Sequence, residues 1–291
     1  MEKPIAESEL IINKDGSVYH LNLKPGQVAM DIIGVGDPER VGKISRFFDR
    51  IELKVQNREF VTHTGFYQGK RLSVISTGMG TDNIEIFLTE LDALFNVNFK
   101  TRIPVPKLTK LNIIRVGTSG SMQAQVPAGS LLASEYALGL DTLMTFYNLN
   151  SSDWEKQIGH WVQNKLNLSF TPYCVKGSEK LFAIFKGEMT TGITVTCPGF
   201  FGPQGRKIRL VPAIPNIVGL LGSTPFNGFQ FTNLEMETAG YYAMGKLLGH
   251  EVLSLNAIVA NRFNQTFDAD PENTMEKLIT LLLKKLAPPS S

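Results

Sequence analysis

Read for its apolar and polar positions, the chain repeats one unit: a short apolar run, a small-residue turn and an amphipathic stretch. Residues 32–35 form an apolar run and Gly36-Asp37-Pro38 turns it, with Asp37 suited to cap a helix and Pro38 to its first turn. Residues 71–76 repeat the strand and Thr77-Gly78-Met79-Gly80 the turn. Residues 83–95 then place Ile84, Phe87, Leu88, Leu91, Leu94 and Phe95 at helical spacing. Residues 111–116 read as a further buried strand, entering a small-residue turn over 117–121. Strands are also expected at Arg58-Glu59-Phe60, 130–133, 192–196 and 251–260, the last of them closing the set. Helices are expected over 153–166, from Ser178, from Asn233 to about Leu248, and over 271–286. Strands alternating with helices predict an α/β fold with crossover helices. Residues 100–110 and 223–230 read as surface loops, and residues 1–15 and 287–291 as flexible polar ends.

Composition narrows the class. The 291 residues are 43% hydrophobic and 19% charged, enough apolar material for one large core. A net charge of +2 points to neither nucleic acid nor a membrane surface. No apolar run reaches the roughly 18 residues of a membrane span, and the first residues lack the order of a signal peptide. Cys174 and Cys197 have no metal-ligand spacing, so a reducing, cytoplasmic setting is expected.

Three stretches carry chemistry. In LNIIRVGTSGSM, Arg115 stands at the end of a buried strand, where an unpaired guanidinium is costly. Either it faces an anion at the mouth of the sheet, or it is paired with an internal carboxylate. Gly117 and Gly120 allow close backbone approach, and Thr118 and Ser119 add hydroxyl donors. Ligands of open α/β sheets sit beyond the carboxyl ends of strands, so half of a phosphate site is expected here. Gly36 and Arg40 offer a second anion-binding element at a helix N-terminus, unless that turn is only an aspartate-capped junction. The loop CPGFFGPQGR presents two aromatics, an amide and an arginine, a set suited to stacking on and hydrogen-bonding a nucleobase. Glu235 and Glu237 fall in an expected first helical turn, where carboxylates are often only dipole partners.

Taken in order, YHLNL, GVGDPERV, NREF, STGMG, IIRVGTSG, FFGPQGR, LEMETAG and ANR resemble the nucleoside phosphorylase family, and within it the branch that cleaves uridine. The resemblance runs from His20 to the final helix. It implies a single three-layer α/β/α domain around a mixed, partly barrelled sheet. It implies a phosphate site of Gly36, Arg40, Arg115 and Thr118, with Arg58 entering from a neighbouring subunit. Met236 and Glu237 would hold the ribose, with His20 of the neighbour at its 5′-hydroxyl. Ser119, Gly120, Phe200, Gln204, Arg206 and Arg262 would form the base site. Phe200, Gln204 and Arg206 match a Phe-x-x-x-Gln-x-Arg pattern of pyrimidine enzymes. The acid that protonates a purine in other members is missing near residues 260–262.

The reaction so implied is phosphate-dependent cleavage of uridine to uracil and ribose 1-phosphate, with Arg115, Glu237, Gln204 and Arg206 carrying catalysis. Inorganic phosphate is the co-substrate and no cofactor is required. A homo-oligomer built from dimers with shared sites, dimer or hexamer, is expected. Some relatives hold a monovalent cation between subunits with an acid like Glu59 and a serine at the position of Asn83. Here the usual Gly-Gly-Pro-Ser is Gly80-Thr81-Asp82-Asn83, which leaves an ion near Glu59, Met79 and Asn83 open. Two rivals stand beside this reading: a nucleosidase using water, and a nucleoside-binding protein without turnover.

Overall fold

The computed structural model describes residues 3–287. In chain order the elements are β1 (Asp31–Val35), α1 (Pro38–Ser45), β2 (Arg50–Asn57), β3 (Phe60–Tyr67), β4 (Lys70–Ser76), α2 (Thr81–Asn96), β5 (Val97–Asn98), β6 (Ile103–Pro104), β7 (Asn112–Ser121) and β8 (Leu131–Gly139). There follow α3 (Asp153–Leu166), β9 (Tyr173–Lys176), α4 (Glu179–Phe185), β10 (Thr190–Thr196), α5 (Ile217–Gly222), β11 (Phe231–Glu235), α6 (Thr238–Leu248), β12 (Glu251–Asn261), β13 (Thr266–Phe267) and α7 (Pro271–Leu286).

Eleven strands make one mixed sheet. Strands β12, β8, β10, β11 and β7 follow one another, and β7 also pairs with β12, so these five close into a small barrel. From β7 the sheet continues outward through β1, β4, β3 and β2. Alternation along the strands sorts side chains between two helical layers. Ile32, Ile75 and Ile113 face α2 and α6, through Phe87, Leu91 and Tyr241. Their neighbours Ile33, Val74 and Ile114 face α1, α4 and α7, through Ile44, Leu181 and Leu282. A third apolar cluster packs α3 and α5 on the barrel, through Ile158, Val195 and Leu221. The architecture is the three-layer α/β/α domain with a partly barrelled sheet that the motifs imply.

Local signals explain the boundaries. Asp37 caps α1 by accepting the N–H of Glu39 at 2.9 Å. Ser152 and Glu155 form a capping box on α3, and Ser178 caps α4.

Several expectations are corrected. Residues 117–121 do not turn: β7 runs unbroken to Ser121, held by β12 on one side and by β11 at its end. Arg58-Glu59 is not strand but the tip of the β2–β3 hairpin, with Arg58 in the left-handed region at φ 54°. Residues 233–235 end β11, and the helix begins only at Thr238. Strand β8 extends to Gly139, well beyond 133. A short strand, β13, follows β12. Residues 103–104 of the expected loop pair with β5. The lead-in is tied down: Ile5 and Arg102 bond through their backbones at 2.8 Å, and the Arg102 side chain donates to the Ile5 carbonyl at 2.7 Å. Met1, Glu2 and 288–291, in the expected flexible ends, lie outside the described residues. Among the described residues no helix is long and apolar enough to cross a membrane.

Candidate active site

A cavity of about 590 Å³ opens where β1, β4, β7, β10 and β11 end. Each strand delivers its own stretch: Gly36 and Arg40 after β1, Gly78 and Met79 after β4, Thr118 to Gly120 within β7. Phe200, Gln204 and Arg206 follow β10, and Met236 and Glu237 follow β11. Strand order β10-β11-β7-β1 therefore sets the aromatic loop and the Arg40 turn at opposite ends, with Glu237 between them.

At the centre lies a buried charge cluster. Arg115 Nη2 meets Glu237 Oε2 at 2.6 Å and Glu235 Oε2 at 2.9 Å. Its Nη1 donates to Asn256 Oδ1 at 3.1 Å and to Ser254 Oγ at 3.3 Å. Of the two alternatives open for Arg115, the internal pair is the one formed, at the cavity wall. Burial works against the guanidinium's charge, but Glu235 and Glu237 outweigh it and hold its pKa above the usual value. Gly117 leaves room for this guanidinium: a Cβ on it would stand 2.2 Å from Arg115 Nη1.

The two glutamates divide in role. Glu235 accepts the N–H groups of Glu237 and Thr238 at 2.9 Å, the opening donors of α6, and the Thr196 hydroxyl at 2.5 Å. It caps α6 from the end of β11 rather than from within a first helical turn. Glu237 lines the cavity beside it, and its Oε1 accepts the N–H of Gly80 at 2.9 Å. Burial pushes its carboxyl above the ordinary range, with Arg115 opposing and Glu235 adding to the effect. Met236 is the one residue not buried in the run from Phe231 to Gly240.

Arg40 is different from Arg115. It donates to the Val116 carbonyl at 3.3 Å and makes no ion pair among the described residues. Burial lowers its pKa, which marks a cation lacking a full set of partners. Thr118 is the one exposed residue of β7 and faces the same cavity. Arg40 and Thr118 thus place a guanidinium without an ion pair and an exposed hydroxyl at one end of the cavity.

At the other end, Gln204 is buried. Its Nε2 donates to the Gly199 carbonyl at 3.2 Å, and its Oε1 accepts from Arg206. The Arg206 guanidinium lies 3.8 Å from the Phe200 ring centroid and donates to the Phe200 carbonyl at 2.7 Å. Burial and then the nearby Arg262 lower the pKa of Arg206. Arg262 stands behind Gly120 rather than in the cavity wall, and its Nη1 is buried without a partner. Ser119 lines the cavity while its hydroxyl accepts from Asn233 at 2.9 Å.

His20 and Arg58 are not in this cavity. His20 Nδ1 pairs with Glu90 at 2.7 Å, and Arg58 lies over the Tyr19 ring at 5.5 Å. Asn57 donates to the His20 carbonyl at 2.8 Å, so these residues form one surface patch. Of the residues weighed for a monovalent ion, Glu59 and Met79 line the cavity. The Asn83 amide donates to Glu59 Oε1 at 3.1 Å, so the carboxylate faces a neutral donor. Asp37, Leu234, Val259, Ala260 and Phe267 line the cavity unforeseen; the last three come from the β12–β13 region, whose short hairpin gives no sequence signal.

The fold and this constellation define a nucleoside-processing class, and the comparisons agree. Residues 32–286 match the phosphorylase superfamily, and the chain belongs to it. A uridine phosphorylase of Thermococcus kodakarensis is 28% identical over 99% of this chain and 93% of its own length. A DeoD-type purine nucleoside phosphorylase of Alkaliphilus metalliredigens is 37% identical over 91% and 97%. Among solved structures, a Trypanosoma brucei nucleoside phosphorylase, reported to show uridine phosphorylase activity, superposes with a TM-score of 0.86. It shares 29% identity over 95% of this chain and 99% of that one. This chain is an enzyme of the nucleoside phosphorylase family.

Proposed function

We propose that the enzyme cleaves uridine with phosphate, releasing uracil and ribose 1-phosphate. One observation carries this: an arginine without a carboxylate partner, Arg40, and a Gln204–Arg206 pair stacked on Phe200 occupy opposite ends of one cavity, with Glu237 between. Phosphate sits against Arg40, Gly36 and Thr118. Glu237 accepts the ribose hydroxyls, and Met236 packs on the sugar. Glycosidic cleavage places positive charge on the ribose and negative charge on uracil. Phosphate attacks the anomeric carbon from the opposite face, while Gln204 and Arg206 donate to the uracil oxygens as charge gathers there. Arg115 holds Glu237 in place and adds its field to the phosphate end. No side chain needs to act as nucleophile, so catalysis is positioning and electrostatics.

The base preference rests on what the cavity offers. The carboxylates that line it, Asp37, Glu59, Glu235 and Glu237, come from the Arg40 end and the centre. Asn261, where an acid would serve a purine, donates to the Gln123 and Val126 carbonyls at 2.8 and 2.9 Å. An unpartnered Arg40 favours phosphate over water as the second substrate. The surface patch of His20 and Arg58 supports a homo-oligomer built from dimers, dimer or hexamer, in which each copy completes the other's cavity. Buried free thiols at Cys174 and Cys197 suit the cytoplasm.

The test is base release from uridine, cytidine and inosine, each with and without phosphate. Uridine cleavage only with phosphate is the expected result. Cytidine lacks the N3–H donor and turns an amino group toward Arg206, so discrimination of roughly 10⁴ is expected. Phosphate-independent release, or inosine as the better substrate, would replace this reading.

A further inference from the structure

The segment Thr77 to Gly80 holds Glu237 through a single N–H, and it contains two glycines in the left-handed region, Gly78 at φ 70° and Gly80 at φ 97°. Glycine there loses more conformational freedom than any other residue when it is fixed. Gly80 also stands at the start of α2 without a side-chain cap. Something outside the segment must therefore set the direction of its N–H.

Glu59 and Asn83 close over it from both sides. Glu59 sits at the tip of the β2–β3 hairpin, and its carbonyl is fixed by the Ser76 hydroxyl at 2.6 Å. Asn83 lies in the first turn of α2. Their side chains bond at 3.1 Å directly across Gly78. A Cβ on Gly78 would stand 2.6 Å from Asn83 Nδ2 and 3.1 Å from Glu59 Cγ.

We propose that the Glu59–Asn83 hydrogen bond is a brace that positions Glu237, acting through Gly78 and the Gly80 N–H. Asn83 and Glu59 are positioning residues. The inference rests on the reading of Glu237 as the acceptor of the sugar hydroxyls. A brace needs only an acceptor oxygen opposite the amide, whereas an ion site needs the negative charge of Glu59. The two roles therefore separate on one substitution, Glu59→Gln.

The experiment pairs hydrogen–deuterium exchange of the 77–80 segment with steady-state kinetics on uridine and phosphate. Asn83→Ala and Glu59→Ala should each speed exchange of the segment and lower kcat/KM for the nucleoside about tenfold, the scale of one lost hydrogen bond. Glu59→Gln should stay within about threefold of the wild type in both measurements. Wild-type rates should be equal in potassium and tetramethylammonium chloride. Glu59→Gln as damaging as Glu59→Ala, a requirement for potassium, or exchange unchanged in Asn83→Ala would each overturn the brace. If the wild type does not turn over uridine, the function reading fails, and the exchange arm still decides whether the brace exists.

Discussion

Arg115 and Glu237, 122 positions apart in the chain, meet at 2.6 Å with both side chains buried. The contact makes the guanidinium a structural group at the cavity wall. Arg115→Ala would leave Glu235 and Glu237 buried without their counter-charge, a loss of about 3–5 kcal/mol in stability. That substitution cannot report on phosphate alone.

Arg40 can. It has no ion pair to lose, so Arg40→Ala should fold with a nearly unchanged Tm. Removing one preorganised donor to a charged group costs about 3 kcal/mol, or roughly a hundredfold in kcat/KM for phosphate. Calorimetry and phosphate titration of the variant check both halves. A normal phosphate dependence would remove Arg40 from the site.

The raised pKa of Glu237 predicts an acid limb of activity. A carboxyl whose folded pKa is raised contributes stability below the ordinary 4.5, and that contribution is lost as pH rises through the raised value. Protonating Glu237 therefore favours the fold while removing an acceptor for the sugar. Glu155 and Glu251, held below their ordinary range, give up stability only at lower pH. As pH falls, a reversible loss of kcat/KM for uridine that already sets in above pH 4.5, at saturating phosphate and with unchanged circular dichroism, is expected. Activity that falls only as the protein unfolds would contradict this.

Gly117→Ala tests the guanidinium's seat. The added methyl meets Arg115 Nη1 at 2.2 Å and displaces it. Overpacking of this kind costs about 1–3 kcal/mol, and the shift should also move Glu237. A lower Tm together with a raised KM for the nucleoside is expected. A variant with wild-type Tm and kinetics would show that the guanidinium is free to move.

Sharing of sites between subunits is checked by complementation. Arg58→Ala and Glu237→Ala proteins should each be inactive, and subunit exchange between them should restore part of the activity. A fully active monomer in sedimentation would exclude shared sites.

The periodicity of Ile32 to Val35, of residues 71–76 and of the α2 stretch was legible in the sequence because local spacing dictates which face of a strand or helix is buried. So was the cap at Asp37, whose partner lies two residues on. The cavity residues were legible as types in motifs, since an arginine at a strand end or an aromatic loop with an amide needs a chemical reason. What local pattern could not decide was partnership. LEMETAG reads as one helical turn, yet pairing of β11 with β10 and β7 splits it, leaving Glu235 as a cap and Glu237 in the cavity. GTSGS reads as a turn, yet β12 and β11 supply the hydrogen bonds that keep it a strand. Arg115 and Arg40 look alike in the sequence. Only the closure of the barrel, which carries Glu237 within ion-pairing distance of one and not of the other, separates a braced cation from one with no ion pair among the described residues.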